Sequence, residues 1–412
     1  MVSDMGRAGE MVQTTLKKRM LLLILAMSAF SFGDAVLDRK ILSDNLSEIN
    51  SLQIFLTKQN NEPFIYAPGN VGRGFYIHNN AVVVKYNYGG YWGWFVENDH
   101  VILAFEKDKN IVFYDVQKGF TLTKSVKIVE EMLRLFLERV IAVPELNDEF
   151  YILGQREEFP INPVEFFKNM ISGGHGINYI KPYLVKIKGD EILQYRKLRY
   201  GGKTDESYTI EEVASDAKMI HFLGYRGQQQ IGASMEGLLI LYYAGYDIDK
   251  EKVVQTHNIF ERNVNLGNNF SPMSIVSKNS DIFVVFPCVT YHQGAHGDDL
   301  KQITSDIYYF QYSSKAAGET VQIAKGFIPL VKLDATGKVY VFWLDYEGNL
   351  VCKTKQDDTW SKDKIILAGI DISPGMTNTK YIAAEFDSED NLHLVYPSKG
   401  SLIYEKRKLS EN

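Results

Sequence analysis

Cysteine is nearly absent from this chain of 412 residues, with Cys288 and Cys352 its only two. Two thiols cannot build a disulfide framework. Both fall in segments that read as strands of successive repeats, where lone buried thiols are expected. Prolines number 11 against 32 glycines, a balance that suits many tight turns. Past the N-terminus no apolar run is long enough to span a bilayer, so no membrane attachment is expected downstream. Blocks of basic residues are missing too. The formal net charge is -6, and about -8 once the first 33 residues, with four basic and two acidic side chains, are set aside. That balance argues against nucleic acid as a partner. What is abundant is aromatic: 25 Tyr and 23 Phe within a composition 45% hydrophobic and 23% charged. A globular chain rich in flat, stiff rings favours strands, where such rings pack on a pleated surface.

The N-terminus has the order of an export signal. Lys17, Lys18 and Arg19 precede the apolar stretch Met20 to Phe30, and the small-residue segment SFGDA follows. The run is too short to cross a membrane stably, and cleavage between Ser31 and Asp34 is expected. Residues 1–33 are thus read as a signal peptide and residues 34–412 as one mature domain, secreted or periplasmic.

Residues 333–360, LDATGKVYVFWLDYEGNLVCKTKQDDTW, have a partner phrase at Glu385 to Arg407, EFDSEDNLHLVYPSKGSLIYEKR. Each says strand, turn, strand, tight turn, strand. Strands are expected at Gly326 to Leu333, Val339 to Leu344, Asn349 to Lys355 and Lys364 to Ala368. Such a four-stranded meander in about 45 residues is the unit of a propeller blade. Degenerate copies follow the same order at Glu97 to Lys118, Leu137 to Asn169, Tyr179 to Val213, Gly232 to Phe260 and Ser271 to Ser314. The expectation is an all-β β-propeller of about seven four-stranded blades, with six or eight as alternatives and an open β-sandwich as the competing fold. The last copy offers three strands, so an N-terminal strand within Ser51 to Thr57 is expected to complete it and remove an exposed edge. One segment, Lys124 to Val143, places Val129, Met132, Leu133, Phe136, Leu137 and Val140 at helical spacing, which predicts a helix inserted between blades.

The stretch DDTW, Asp357 to Trp360, resembles the Asp-box of sialidase-like (BNR-repeat) propellers, Ser-x-Asp-x-Gly-x-Thr-Trp in the turn between third and fourth strands. Thr359 and Trp360 match, while Lys353, Lys355 and Asp357 stand at the Ser, Asp and Gly places. The resemblance implies a superfamily whose sialidases grip a carboxylate with three arginines and use a Tyr/Glu nucleophile pair with an acidic Asp. Arg73 in VGRGFY lacks the usual Arg-Ile-Pro context, and Arg226 and Arg262 are the remaining candidates. Polysaccharide lyases of similar rhythm employ His and Tyr as acid and base.

In a propeller the turns between second and third strands share one face with the connections between blades, and ligands gather there. The longest such turn, Tyr291 to Asp306 (YHQGAHGDDLKQITSD), carries His292, His296, Asp298 and Asp299. Imidazole and carboxylate at this density suit sugar contact, a general base or a metal ion, and a solvated glycine-rich loop is the plain alternative. SGGHGINY places His175 in what reads as a connection between blades. HFLGYRG offers His221, Tyr225 and Arg226 at another, where Arg could take a carboxylate bidentately. YWGWF offers Trp92 and Trp94 for stacking on a sugar ring. Each could instead be core or structural, and Trp360 is read as core. The leading reading is an exported propeller that binds a carbohydrate, an acidic polysaccharide being the narrower expectation. His175, Trp92, Trp94, Tyr291, Asp298 and Asp299 are its expected contacts. A glycan lyase or hydrolase using His296, His292, Tyr225 and Arg226 is the alternative, and a protein-interaction scaffold the third. The sequence assigns no cofactor and no oligomeric state.

Overall fold

In the computed structural model the described residues are 34–43, 52–57, 61–67, 73–78, 81–85, 91–97, 100–118, 121–129, 136–143, 149–158, 179–199, 207–227, 237–264, 272–291, 303–313, 316–370 and 380–410. They form seven antiparallel sheets. Blades 1 to 7 begin with the inner strands Gln53–Leu56, Tyr91–Glu97, Phe136–Ala142, Ser207–Ser215, Ser274–Lys278, Phe327–Leu333 and Ala383–Phe386. In blades 1 to 6 the sheet order follows the chain outward. In blade 7 the outermost place is taken by the N-terminal strand Ala35–Ser43, paired with Ser401–Lys408.

Seven hydrophobic clusters show why the sheets make a ring. Each joins adjacent blades: Phe64 with Val101, Phe113 with Phe150, Leu153 with Phe222, Tyr243 with Phe286, Val285 with Trp343, Phe342 with Leu394, and Val395 with Ile54. Alternation along one strand feeds two of them. In Asp281–Tyr291, Ile282, Val284, Phe286 and Cys288 face blade 4, while Phe283 and Val285 face blade 6. A middle strand buried on both sides must therefore be apolar at every position, which is why DIFVVFPCVTY shows no period of two. Full burial of each such side chain is worth about 1.5–3 kcal/mol, so the interfaces between blades hold the ring.

The repeated phrase has a hydrogen-bonding cause. Asp334, in the first turn of blade 6, accepts from the backbone N–H groups of Gly337 and Lys338, both at 2.9 Å. Asp387 of blade 7 accepts from Glu389 N at 2.9 Å and Asn391 N at 2.8 Å, and Asp216 of blade 4 from Lys218 N and Met219 N, both at 2.9 Å. The same carboxylates hold the following strand: Asp387 Oδ2 lies 3.1 Å from His393 Nε2, Asp216 Oδ2 lies 3.1 Å from His221 Nε2, and Asp334 bonds Tyr340. A short polar side chain that captures its own turn in this way fixes each hairpin locally.

Three expectations are corrected. The closing strand is Ala35–Ser43, and Gln53–Leu56 is instead the inner strand of blade 1. An outermost strand needs only one apolar face, so the charged centre Asp38-Arg39-Lys40 is compatible with it, whereas QIFL suits the interior. The segment read as helical runs as strand at both ends, Thr121–Lys127 and Phe136–Ala142, and its residues 130–135 lie outside the described ones. Neighbouring sheets override its helical spacing, because Val126 and Val140 serve one cluster between blades 2 and 3. Finally, Leu137 to Asn169 and Tyr179 to Val213 are not two blades. Blade 3 runs from Phe136–Ala142 to Glu191–Lys197 and bridges them, and the chain from Gln53–Leu56 to Ala81–Lys85 is a blade whose copy the sequence pattern missed.

Candidate functional site

The inner strands surround a cavity of about 350 Å³ on the ring's axis, bordered by residues of blades 1 and 3 to 7. It is not apolar. Arg139 of blade 3, Glu212 of blade 4, Lys332 of blade 6, and Lys380 and Glu385 at blade 7 all line it. Arg139 Nη1 donates to Glu212 Oε2 at 3.3 Å, and Lys380 Nζ donates to Glu212 Oε1. Blades 4 and 7 are not neighbours, so the Glu212–Lys380 pair spans the lumen. In the same lumen Lys332 Nζ donates to Glu385 Oε2 at 2.7 Å. Three cations thus face two carboxylates.

Backbone irregularity supplies part of this arrangement. The register slips between Leu137 and Arg139 in blade 3, and between Ile210 and Glu212 in blade 4. Both charged residues follow immediately on a bulge, a device that re-aims a side chain. The second bulge depends on Gly224, which pairs with Ile210: a Cβ there would sit 1.9 Å from Thr209 O. Only glycine lets the backbones approach so closely. Arg139 is steadied further by the Glu211 carbonyl, which accepts from its Nη2 at 3.2 Å.

Burial would push the Glu212 carboxyl up, but Lys380 and Arg139 outweigh it and hold the group below the usual carboxylate range. Lys380 is pulled below the ordinary lysine value by burial, with Arg139 and Lys332 adding repulsion that Glu212 opposes. Side-chain exposures of 13% for Glu212, 19% for Lys380 and 32% for Arg139 leave all three reachable from the lumen.

None of the described residues expected from sequence lines this cavity. His175, His292, His296, Asp298 and Asp299 lie outside the described residues. Their flanking strands show that His175 belongs to the connection between the second and third strands of blade 3, within one blade rather than between two. Residues 292–302 occupy the same connection of blade 5, and residues 228–236 that of blade 4. The strand ends that bear these connections therefore share one end of three consecutive blades. Tyr291 closes the strand that leads into 292–302 and pairs with Ile303. HFLGYRG is not a connection: it lies in the second strand of blade 4, Met219–Gly227. There His221 is buried and bonded to Asp216 and to Tyr243 Oη at 2.9 Å, and Tyr225 is half-buried against the cluster shared with blade 5. Arg226 is the next position of the strand, opposite Tyr208 and Ile240. Trp92 is the bulged residue of the inner strand Tyr91–Glu97, and Trp94 pairs with Leu103. Of the arginines tied to a sialidase-like pattern, Arg262 is in the outer strand of blade 4 and donates to Cys288 Sγ, while Arg73 starts the third strand of blade 1. Both cysteines are buried free thiols, and Trp360 packs edge-on to Tyr309 at 4.9 Å between ring centroids. Among the described residues no His, Cys, Asp and Glu side chains group as a metal cage, and no helix is long and apolar enough to cross a membrane.

The channel charges escaped the sequence reading because five residues from four blades meet only once the ring closes. The one local signal is a charge inside a first strand, as in FLERVIA and SYTIEEVAS.

The chain is a β-propeller. No protein-family model matches it, and no curated protein does. Among solved structures, hydrazine synthase of Kuenenia stuttgartiensis is similar over 87% of this chain and 96% of that one, with a TM-score of 0.51 and 9% identity. The β-propeller domain of Cps50 (Swd1) of Myceliophteria thermophila is similar over 87% and 98%, with a TM-score of 0.47 and 10% identity. At such identities the likeness concerns fold alone.

Proposed function

We propose that this propeller is an exported binding module for an acidic carbohydrate, taken up at the end of its central channel. The observation that carries the reading is the lumen itself, where Arg139, Lys332 and Lys380 outnumber Glu212 and Glu385. Arg139 and Lys332 stand on inner strands and Lys380 just before one; such guanidinium and ammonium groups suit a carboxylate, and a rigid frame lowers the entropy lost on binding. The flanking strands of blades 3 to 5 end together at one rim, in keeping with the sugar contacts expected from His175, Tyr291, Asp298 and Asp299, while Trp92 and Trp94 belong to the inner strand of blade 2. The place of Thr359 and Trp360 in the short strand just past the turn after the third strand of blade 6 is in keeping with a sialidase-like origin.

A glycan array carrying uronate-rich and neutral oligosaccharides, followed by calorimetry on the hits, tests this. Uronate-containing glycans are expected to bind, with binding weakened by Arg139→Gln. A blank array, or hits confined to neutral glycans, would refute it. Analysis of the bound oligosaccharides for new reducing or unsaturated ends separates a binder from the lyase or hydrolase alternative.

A further inference from the structure

Glu212 stands where a ligand's carboxylate would stand. We propose that Arg139 and Lys380 form an anion-binding site that Glu212 fills in the free protein, so that an acidic ligand binds by displacing this internal carboxylate. The inference rests on the reading that the channel takes an acidic ligand, and it adds which atoms do so and what they must first release.

Three observations converge. Arg139 and Lys380 come from different blades and approach opposite oxygens of one carboxylate, Oε2 and Oε1, so their donors already converge on a single anionic group. Both cations line the cavity, which is roomy enough for a monosaccharide. Glu212 itself is held by side chains alone: no backbone N–H donates to it among the hydrogen bonds of the described residues, unlike Asp216, Asp334 and Asp387. A carboxylate gripped only by two side chains can be exchanged for another, provided its own chain can swing aside. The bulge aims Glu212 into the lumen, and the cavity beside it supplies the room. Lys332, held in the same way by Glu385, would then offer a second contact to a longer acidic chain.

The test uses the whole chain, with sodium glucuronate as probe and glucose as neutral control, followed by calorimetry. Glu212→Gln keeps the shape and removes the competing charge. It is expected to bind glucuronate about tenfold or more tightly than the unaltered protein, the scale of losing one charged competitor. Adding Lys380→Gln to that variant should abolish the gain, and glucose should bind neither. If Glu212→Gln binds glucuronate no better than the unaltered protein, the inference is overturned, even when the array shows acidic glycans binding at another place. If instead the gain appears while the array stays blank, the anion site stands and the carbohydrate reading falls. Should Glu212→Gln fail to fold, Glu212→Asp retains the charge but shortens the reach. It is expected to show a smaller gain, and no gain would be equally fatal.

Discussion

Two carboxylates of this protein sit among cations, and they could hardly be held more differently. Asp387 is wholly buried. It accepts from Glu389 N, Asn391 N, Asn391 Nδ2 and His393 Nε2, and pairs with Lys406 Nζ at 2.8 Å. Glu212 meets one side chain from the neighbouring blade and one across the lumen, and no backbone donor among the described bonds. A saturated buried network specifies one structure, because every partner is lost if it opens. An unsaturated one facing a cavity can trade partners. The first is therefore architecture and the second a site, although the residue types are alike.

The sharpest way to break the comparison is Asp387→Ala, which strands His393, Asn391 and Lys406 around an empty place. It should cost about 3–5 kcal/mol in chemical denaturation, the range for breaking a buried pair. Glu212→Gln should cost clearly less. Equal losses would mean that both carboxylates are structural.

Next in size is Gly224→Ala. Its new Cβ meets the Thr209 carbonyl at the bulge that aims Glu212. About 1–3 kcal/mol should be lost by denaturation, together with altered glucuronate affinity. A stability change with affinity intact would separate the bulge from the site.

Acid should act on the saturated network. Burial depresses His393, with Lys406 nearby adding repulsion while Asp387 and Glu385 oppose it, so the folded state prefers the neutral ring with Tyr404 Oη donating to Nδ1. Burial would raise Asp387, but His393, Lys406 and Asn391 pull it far below the usual range. Both folded values are depressed. The stability they contribute is present above the unfolded values, about 6.5 for His and 3.9 for Asp, and is lost as pH falls toward the folded ones. Denaturation midpoints measured from pH 7 downward should fall, and His393→Gln should flatten the upper part of that slope. The smallest effect belongs to Lys332→Gln. Its pair with Glu385 is 21% and 31% exposed, so stability should shift by no more than about 1 kcal/mol.

What could be read in the sequence follows the same division. The turn aspartates Asp334 and Asp387 act on residues a few places away, so their phrase repeats visibly, and the strands of blade 6 fall within a residue or two of the pattern. Blade 3 reads as two copies in the sequence because residues 159–178 separate its two hairpins. The closing strand is hard to read in the sequence because Ala35–Ser43 is polar at its centre, with Val36, Leu37 and Ile41 exposed. The channel charges were illegible for a topological reason: Arg139 and Lys380 are brought together by ring closure, and no local pattern marks that meeting.

The most direct measurement is a crystal structure of the Glu212→Gln variant soaked in glucuronate. Carboxylate density within hydrogen-bonding distance of Arg139 Nη1 and Lys380 Nζ is the predicted result. A lumen holding only water, with the substituted amide still seated between the two cations and the sugar bound elsewhere, would contradict it.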